Sequence, residues 1–400
     1  MIAASTSTPP STSAAMRGRR PVKGLNRRTR FFSAATPTKL TDLCPEPPFD
    51  ASHEAFRADA RAFVRERLRP FADEWEEAGW FPNSVFGELA ERGWLGLKYG
   101  GDWVGDAVLT EELARCGSGG VAAGIGAHIH IATPPVFTFG TDAQKARWLD
   151  PALRGELIGA LAITEPDAGS DVAAVRTRAS RVEGGWLVSG AKTFITNGVR
   201  ADFLVTAVRT GGDGHGGLSF LVVERGEGVH ASALSKLGWR ASDTAEIAFD
   251  EVFVPEDHLL GEEGRGFYLI MANFQWERLV MALGAVGAMR RTLERVAGEL
   301  AGSGGAIRHR VAELATHAAA GQAMTYAALR RFLAGGDAVR EVTMAKLATQ
   351  RANFELQDEC LRLIGPDREL ERAVRDARLG PIGGGTDEIM REILGRTVSA

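Results

Sequence analysis

From Glu54 to about Leu153 apolar residues recur every three or four positions, the spacing of an amphipathic helix. AFRADARAFVRERLRPFADEWEEAG is punctuated by Pro70, and SVFGELAERGWLGLKYGG and DAVLTEELARCGSGG each close on glycine, as helix C-termini prefer. At Glu156 the period changes from helical to alternating. LIGALAITE, GWLVSGAKTFITN, DFLVTAVRT, LSFLVVER, VHASAL and TAEIAFDEVFVP predict short strands, separated by glycine-rich turns such as 183–185 and 211–217. After Gly261 the helical period returns and holds to the C-terminus, with breaks at Gly335, Gly365 and the glycines from Gly380 to Gly385. The pattern predicts a helical domain at 46–155, a β-barrel or sandwich at 156–262 and a helical bundle at 263–400. Ligand sites favour such junctions.

The longest element predicted runs from Phe267 to Leu300, without proline and with glycines at both ends. Its first half is apolar nearly all round, so it belongs inside a bundle. Glu277 stands in that half, on one face with Phe274, Val280, Met281, Gly284 and Ala288, none of which can pair with a carboxylate. Arg278 follows directly, but consecutive helical residues point about 100° apart, which makes it a poor partner. A carboxylate there costs several kcal/mol unless a partner or a task accounts for it, and desolvation raises its pKa. The helix alone leaves a structural pair and a proton-transfer role both open.

Composition removes several function classes. The 400 residues carry a formal net charge of −4, which predicts no nucleic-acid footprint. No apolar run reaches the roughly 18 residues a membrane span needs. Cys44, Cys116 and Cys360 are too scattered for a disulfide framework or metal cluster, which points to a reducing compartment. His128 and His130 lie on an apolar helical run with no metal-ligand spacing and read as core histidines. Residues 1–41 hold no Asp or Glu among their basic, Ser, Thr and Pro positions. The segment 1–45 therefore reads as a disordered basic tail, a transit peptide or an upstream start. The first and last readings go with a cytoplasmic protein, the second with the mitochondrial matrix.

Two further stretches offer chemistry. ITEPDAGSD, from Ile163 to Asp171, is a small-residue turn whose backbone N–H groups and hydroxyls suit a planar or anionic ligand. TFITNG places Phe194 and Thr196 on one strand face by simple alternation, an aromatic and a hydroxyl beside a flat heterocycle.

Together these residues resemble the acyl-CoA dehydrogenase family of flavoproteins over about Glu54 to Arg396. ITEPDAGSDVAAVRT is similar to the family's first signature, KLGWRASDTAEIAFDEVFVPEDHLLGEEGRGF to its second β-domain stretch, and RDARLGPIGGGTDEIMREI to its C-terminal signature. The resemblance implies an N-terminal helical domain, a middle β domain and a C-terminal four-helix bundle, with FAD held between β domain and helices. By it Ile163, Thr164, Phe194 and Thr196 contact the flavin, Thr386 and Glu388 lie by the FAD phosphates and ribose, and Ser170 and Arg278 serve the substrate. The family takes its base either from a C-terminal Ile-Tyr-Glu-Gly-Thr loop or, in the isovaleryl and long-chain enzymes, from a Glu-Arg-Leu run on the long helix. Here the loop reads Ile382-Gly383-Gly384-Gly385-Thr386, without the carboxylate, and the helix reads Glu277-Arg278-Leu279. The resemblance then implies that Glu277 takes the α-proton of an acyl-CoA or acyl-carrier-protein thioester. The Gly384 N–H supports the thioester carbonyl, flavin N5 takes the β-hydride, and electron-transfer flavoprotein or another acceptor receives the electrons.

Two segments depart from the family. AGSGGAIRHRVAELA lacks the Arg, Phe and Gln that reach a neighbour's FAD, and Arg362 to Asp367 keeps one glycine of a Gln-x-x-Gly-Gly-x-Gly run. These losses bear on the homodimer or homotetramer the family implies, and leave Arg308, Arg310 or Arg362 as substitute phosphate partners. The alternatives carried beside the dehydrogenase are a flavin oxidase or monooxygenase on this fold, and a degenerate member that has lost FAD.

Overall fold

The computed structural model describes residues 48–300 and 302–398; the predicted tail at 1–45 lies outside them. The N-terminal helices are α1 (Ala51–Phe63), α2 (Ala72–Ala78), α3 (Ser84–Glu91), α4 (Trp103–Leu113), α5 (Gly119–Gly126), α6 (Thr133–Phe139), α7 (Asp142–Gln144) and α8 (Asp150–Leu153). Asp50 caps α1 by accepting from the Ser52 and His53 amides, and Ser118 caps α5. Pro70 falls between α1 and α2. It sits in a short 3-10 turn, where its missing N–H costs nothing, between a π-helical turn and α2. Phe63, Trp94, Phe81, Phe86 and Ile125 form the core of this part.

Eight strands follow: β1 (Gly159–Ala162), β2 (Arg178–Val182), β3 (Gly185–Ile195), β4 (Phe203–Arg209), β5 (Leu218–Glu224), β6 (Val229–Ala233), β7 (Ala245–Pro255) and β8 (Leu259–Leu260). They pair in the order β6-β7-β3-β2-β4-β5-β8, with β1 parallel on β4. The mixed sheet contains two strands that the alternation did not predict, β2 and β8. The predicted alternation through Phe194 and Thr196 also fails. β3 ends at Ile195, its register on β7 shifts between Lys192 and Ile195, and Phe194 takes a φ of +58°. A bulge, which adds a residue and twists the strand, sets the direction of these side chains. Consecutive Lys192 and Thr193 are accordingly both buried while Phe194 is 69% exposed.

The helical period resumes in α9 (Gly266–Glu299), α10 (Gly305–Leu333), α11 (Val339–Ile364), α12 (Arg368–Ala377) and α13 (Asp387–Val398). α9, α10 and α11 pack on one another, α13 lies against α11, and α4 lies against α9. Two apolar layers hold the bundle: Leu279, Leu283, Tyr326, Leu329 and Val342 in one, Met289, Leu293, Leu314 and Leu356 in the other. A third cluster joins all three regions. Trp148 of the N-terminal part, Phe203 and Phe220 of the sheet, and Leu269 and Ile270 of α9 share it, with Ile163 and Phe274 at its margin. No described helix is long and apolar enough to cross a membrane.

Candidate functional site

α9 starts pressed against the sheet, since a Cβ on Gly266 would meet the Ser219 backbone. One aromatic fixes its rotation. Trp276 is buried and packs edge-to-face on Trp103 at 4.8 Å and tilted on Phe332 at 5.1 Å. A step of about 100° from Trp276 then turns Glu277 away from that cluster, toward α11 and the loop after α12. Burial pushes the Glu277 carboxyl up to about 7, against the opposing pull of Arg278 and Lys346. Part of the residue is reached by solvent, but enough protein surrounds its carboxyl for desolvation to prevail.

The facing loop is built from glycine. Gly384 takes a φ of +61°, and a Cβ placed on it would stand 3.7 Å from the Glu277 Oε1, 3.6 Å from the Lys346 Cε and 3.5 Å from the Met281 Cγ. The loop folds on itself through the Ile382 and Gly383 amides, both donating to the Leu379 carbonyl, and the Asp387 amide, donating to the Pro381 carbonyl. The Gly384 N–H takes no part in these bonds. Thr386 caps α13, its Oγ1 accepting from the Ile389 amide at 3.3 Å. Lys346, fully buried on α11, donates from Nζ to the Gly385 carbonyl at 2.6 Å and to the Gly380 carbonyl at 3.4 Å. Burial lowers its ammonium to about 8, with Asp387 the strongest opposing influence.

Arg278 is buried with its Cζ 5.1 Å from the Phe274 ring centroid. It forms no ion pair with Glu277; its Nε lacks a partner among the described residues, and one guanidinium nitrogen lies 3.9 Å from the Cβ position of Gly385.

The sheet meets α9 through one apolar cluster, against which Ile163 and Phe274 both pack. The Thr164 carbonyl accepts from the Thr193 amide at 2.9 Å, tying the ITEPDAGSD turn to β3. Beneath the turn Lys192 donates to Glu165 at 2.8 Å and to the Ile163 carbonyl at 3.0 Å, and Glu165 accepts the Arg176 and Thr177 amides. Phe194 lies over the outer edge, Thr196 follows half-buried in the turn, and Ser170 is exposed at the far end of the ITEPDAGSD turn.

The structure thus gathers Glu277, Arg278, Gly384 and Thr386 around one loop and Ile163, Thr164, Phe194 and Thr196 around the strand ends. Glu388 stays on the surface, paired with Arg391 at 3.1 Å. Arg310 is spent on Glu313, Glu355 and Glu359, and Arg362 on Asp358 and Glu359, so neither offers an unpaired charge for a phosphate. His128 is a satisfied core histidine, bonded to Ala152 O and to the Gly159 amide. His130 is likewise a buried histidine with polar partners. It lies 3.2 Å from the Lys98 Nζ and 3.2 Å from the Asp106 carboxylate, all three fully buried. Lys346 was missed by the sequence reading. Its one signal is register, for it shares the stripe of Val342, Thr349, Asn353 and Leu356 that faces inward along α11. A separate cleft of about 720 Å³, lined by Asp73, Glu77, Arg240 and Arg375 among others, includes none of these residues.

Three family models match the chain in succession: the acyl-CoA dehydrogenase N-terminal domain over 50–156, middle domain over 160–252 and C-terminal domain over 264–399. Among curated relatives, the mitochondrial long-chain specific acyl-CoA dehydrogenase of Mus musculus is 33% identical over 390 residues, covering 90% of this chain and 89% of that protein. The mitochondrial isovaleryl-CoA dehydrogenase of Solanum tuberosum is 34% identical over 376 residues, covering 87% and 90%. A crystal structure of a probable acyl CoA dehydrogenase from Mycobacterium abscessus superposes with a TM-score of 0.84 at 40% identity, covering 87% of this chain and 99% of that one.

Proposed function

The chain belongs to the acyl-CoA dehydrogenase family, and from that membership we propose that it desaturates an acyl thioester between the α and β carbons with Glu277 as the base. The observation that carries this is the meeting of Glu277 and Gly384. The two places from which the family's base comes converge here on one point, the Glu277 Oε1 lying 3.7 Å from where a side chain at Gly384 would begin. The carboxylate absent from the loop is replaced in space by the one on the helix.

An α-proton beside a thioester is weakly acidic, so the base must be strong and well placed. A carboxyl held at about 7 is a stronger base than a solvated one and is largely ionised at slightly alkaline pH. Proton removal shifts negative charge onto the thioester oxygen, which needs donors aimed at it. The Gly384 N–H, unused by the loop, is available for that oxygen, and its left-handed backbone carries no side chain between amide and cleft. The product is the α,β-unsaturated thioester.

The residues at the strand ends fit a flavin. Phe194 is an apolar ring 69% exposed, held outward by a bulge, and its open face can pack on a flat heterocycle. Thr164 and Thr196 bring hydroxyls to the same edge, and Thr386 stands at the N-terminus of α13, where backbone amides suit phosphate oxygens. When bound, FAD supplies the acceptor for the β-hydride, and electron-transfer flavoprotein or a comparable protein removes the electrons.

The test is anaerobic mixing of the purified protein with a panel of acyl-CoA thioesters, following flavin absorbance. Wild type is expected to bleach. Glu277→Gln is expected to retain FAD and lose about 10²- to 10⁴-fold in rate. Unchanged bleaching in that variant would remove Glu277 from the reaction.

A further inference from the structure

We propose that Lys346 is a positioning residue for proton abstraction: from α11 it pins the Gly380–Gly385 turn against the Glu277 carboxyl and sets the charge around it. This rests on the reading of Glu277 as base and Gly384 as carbonyl donor given above.

The geometry is specific. Lys346 is fully buried, and its Nζ donates to both ends of the glycine turn, at 2.6 Å to the Gly385 carbonyl and 3.4 Å to that of Gly380. Its Cε and the Glu277 Oε1 flank the same point, the place where a Cβ on Gly384 would stand, at 3.6 and 3.7 Å. A turn with glycine at 380, 383, 384 and 385 has little intrinsic preference for one shape, so a fixed donor from a rigid helix adds to its own backbone bonds in holding it. The same group supplies positive charge. The charged groups that face the Glu277 carboxyl are Arg278 on its own helix and Lys346 on the facing one. Of the acids on the packed elements, Asp106 lies with His130 and Lys98 and Glu111 with Arg57, while Asp387, paired with Arg351 and Arg391, also favours the charged form of Lys346. Arg278 also bears on the Glu277 carboxyl, but among the described residues no hydrogen bond ties it to the turn, so Lys346 is the cation that links loop shape to base strength.

A lysine that only filled space would act through stability alone. A positioning lysine moves two further readouts. In Lys346→Met, hydrogen exchange of the amides of residues 380–386 is expected to quicken about tenfold, as a charge-assisted bond is lost. The Glu277 carboxyl, followed by ¹³C NMR and assigned by its disappearance in Glu277→Gln, is expected to titrate about one unit higher. The acid limb of kcat/KM should move with it, and Lys346→Arg should bring the titration back toward wild type. If Lys346→Met does not fold, wild type alone answers. Exchange at 380–386, corrected for its intrinsic pH dependence, should rise above about pH 8 as the ammonium is lost. Unchanged exchange together with unchanged Glu277 titration in the variant, or no excess exchange above that pH in wild type, overturns the proposal. Exchange and NMR need no substrate, so they judge Lys346 even if the thioester panel shows no bleaching.

Discussion

The Glu277 Oε1 and a Cβ imagined on Gly384 stand 3.7 Å apart, although 107 positions separate the two residues in the chain. A carboxylate carried on the loop at Gly384 would therefore start beside the one on the long helix. Gly384→Glu alone would bring two carboxyls together, raising the pKa of one of them, and would strain a φ of +61° by about 1–2 kcal/mol. Its rate of flavin bleaching should fall below wild type and its acid limb move upward. In Glu277→Ala/Gly384→Glu the second carboxyl is gone and the loop carboxylate has space. That double variant should bleach at least ~10-fold faster than Glu277→Ala, in a stopped-flow comparison with one thioester. Equal rates would mean that the two positions do not serve one site.

Glu277 also costs the fold. Its carboxyl titrates near 7 in the protein against 4.5 in an unperturbed chain, so the folded state binds this proton more tightly than the unfolded one. The stabilisation from that binding is complete below about pH 4.5 and is lost as pH rises through 7. The difference amounts to about 3 kcal/mol. Glu277→Gln, neutral at every pH, should match wild type near pH 4 and exceed it by about 3 kcal/mol near pH 8.5. Denaturant titration at the two pH values measures this, and a variant less stable than wild type at the higher pH contradicts it.

The desolvation of the Glu277 carboxyl was legible in the sequence because a long apolar run and a lone carboxylate are one-dimensional features. The helix predicted at Phe267–Leu300 is observed at Gly266–Glu299. Lys346 was not legible. Its importance lies in which loop α11 meets, and that is set by packing of α9, α11 and α13 across long stretches of chain. β2 escaped for a local reason. RASRV looks like a charged turn, but its exposed face is covered by its own chemistry, with Arg181 stacked 4.1 Å from the Trp186 ring centroid and paired with Glu256 at 2.8 Å. The bulge at Lys192–Ile195 escaped because alternation assumes an unbroken ladder, and only the partner strand reveals the shift. The positions of Phe194 and Thr196 thus follow from β7 as much as from their own strand.

The buried pair beneath the ITEPDAGSD turn should be sensitive in one direction. Lys192 is 1% exposed and bonds both Glu165 and the Ile163 carbonyl, while Glu165 has two backbone amides as well. Lys192→Met leaves a carboxylate buried without its cation and is expected to cost about 3–5 kcal/mol. Glu165→Gln keeps hydrogen-bonding atoms and leaves a lysine already depressed to about 8, which can shed its proton. It should cost less than Lys192→Met. Equilibrium unfolding in urea ranks the two, and the reverse order would show that the charge on Glu165 is not what the lysine supports.

α9 offers a matched pair of glycines one turn apart. A Cβ on Gly287 would run into the Glu111 carbonyl, because α4 and α9 touch there backbone to backbone. A Cβ on Gly284 meets nothing within 4 Å. Both are helical, so replacing either by alanine gains up to about 1 kcal/mol of helix propensity. At Gly284 nothing opposes that gain, and Gly284→Ala should raise Tm. At Gly287 the clash is with backbone, which cannot rotate aside, so the helices must separate and core contacts around Ala107 and Leu283 loosen. Gly287→Ala should therefore lose stability despite its better propensity, by about 1–3 kcal/mol. The same shift would carry Glu277 away from the Gly384 loop, so its activity should fall in parallel while Gly284→Ala leaves the Glu277 titration in place. A thermal melt of both variants beside wild type decides the case; if Gly287→Ala is as stable as Gly284→Ala, the close approach of α4 and α9 is not what positions the long helix.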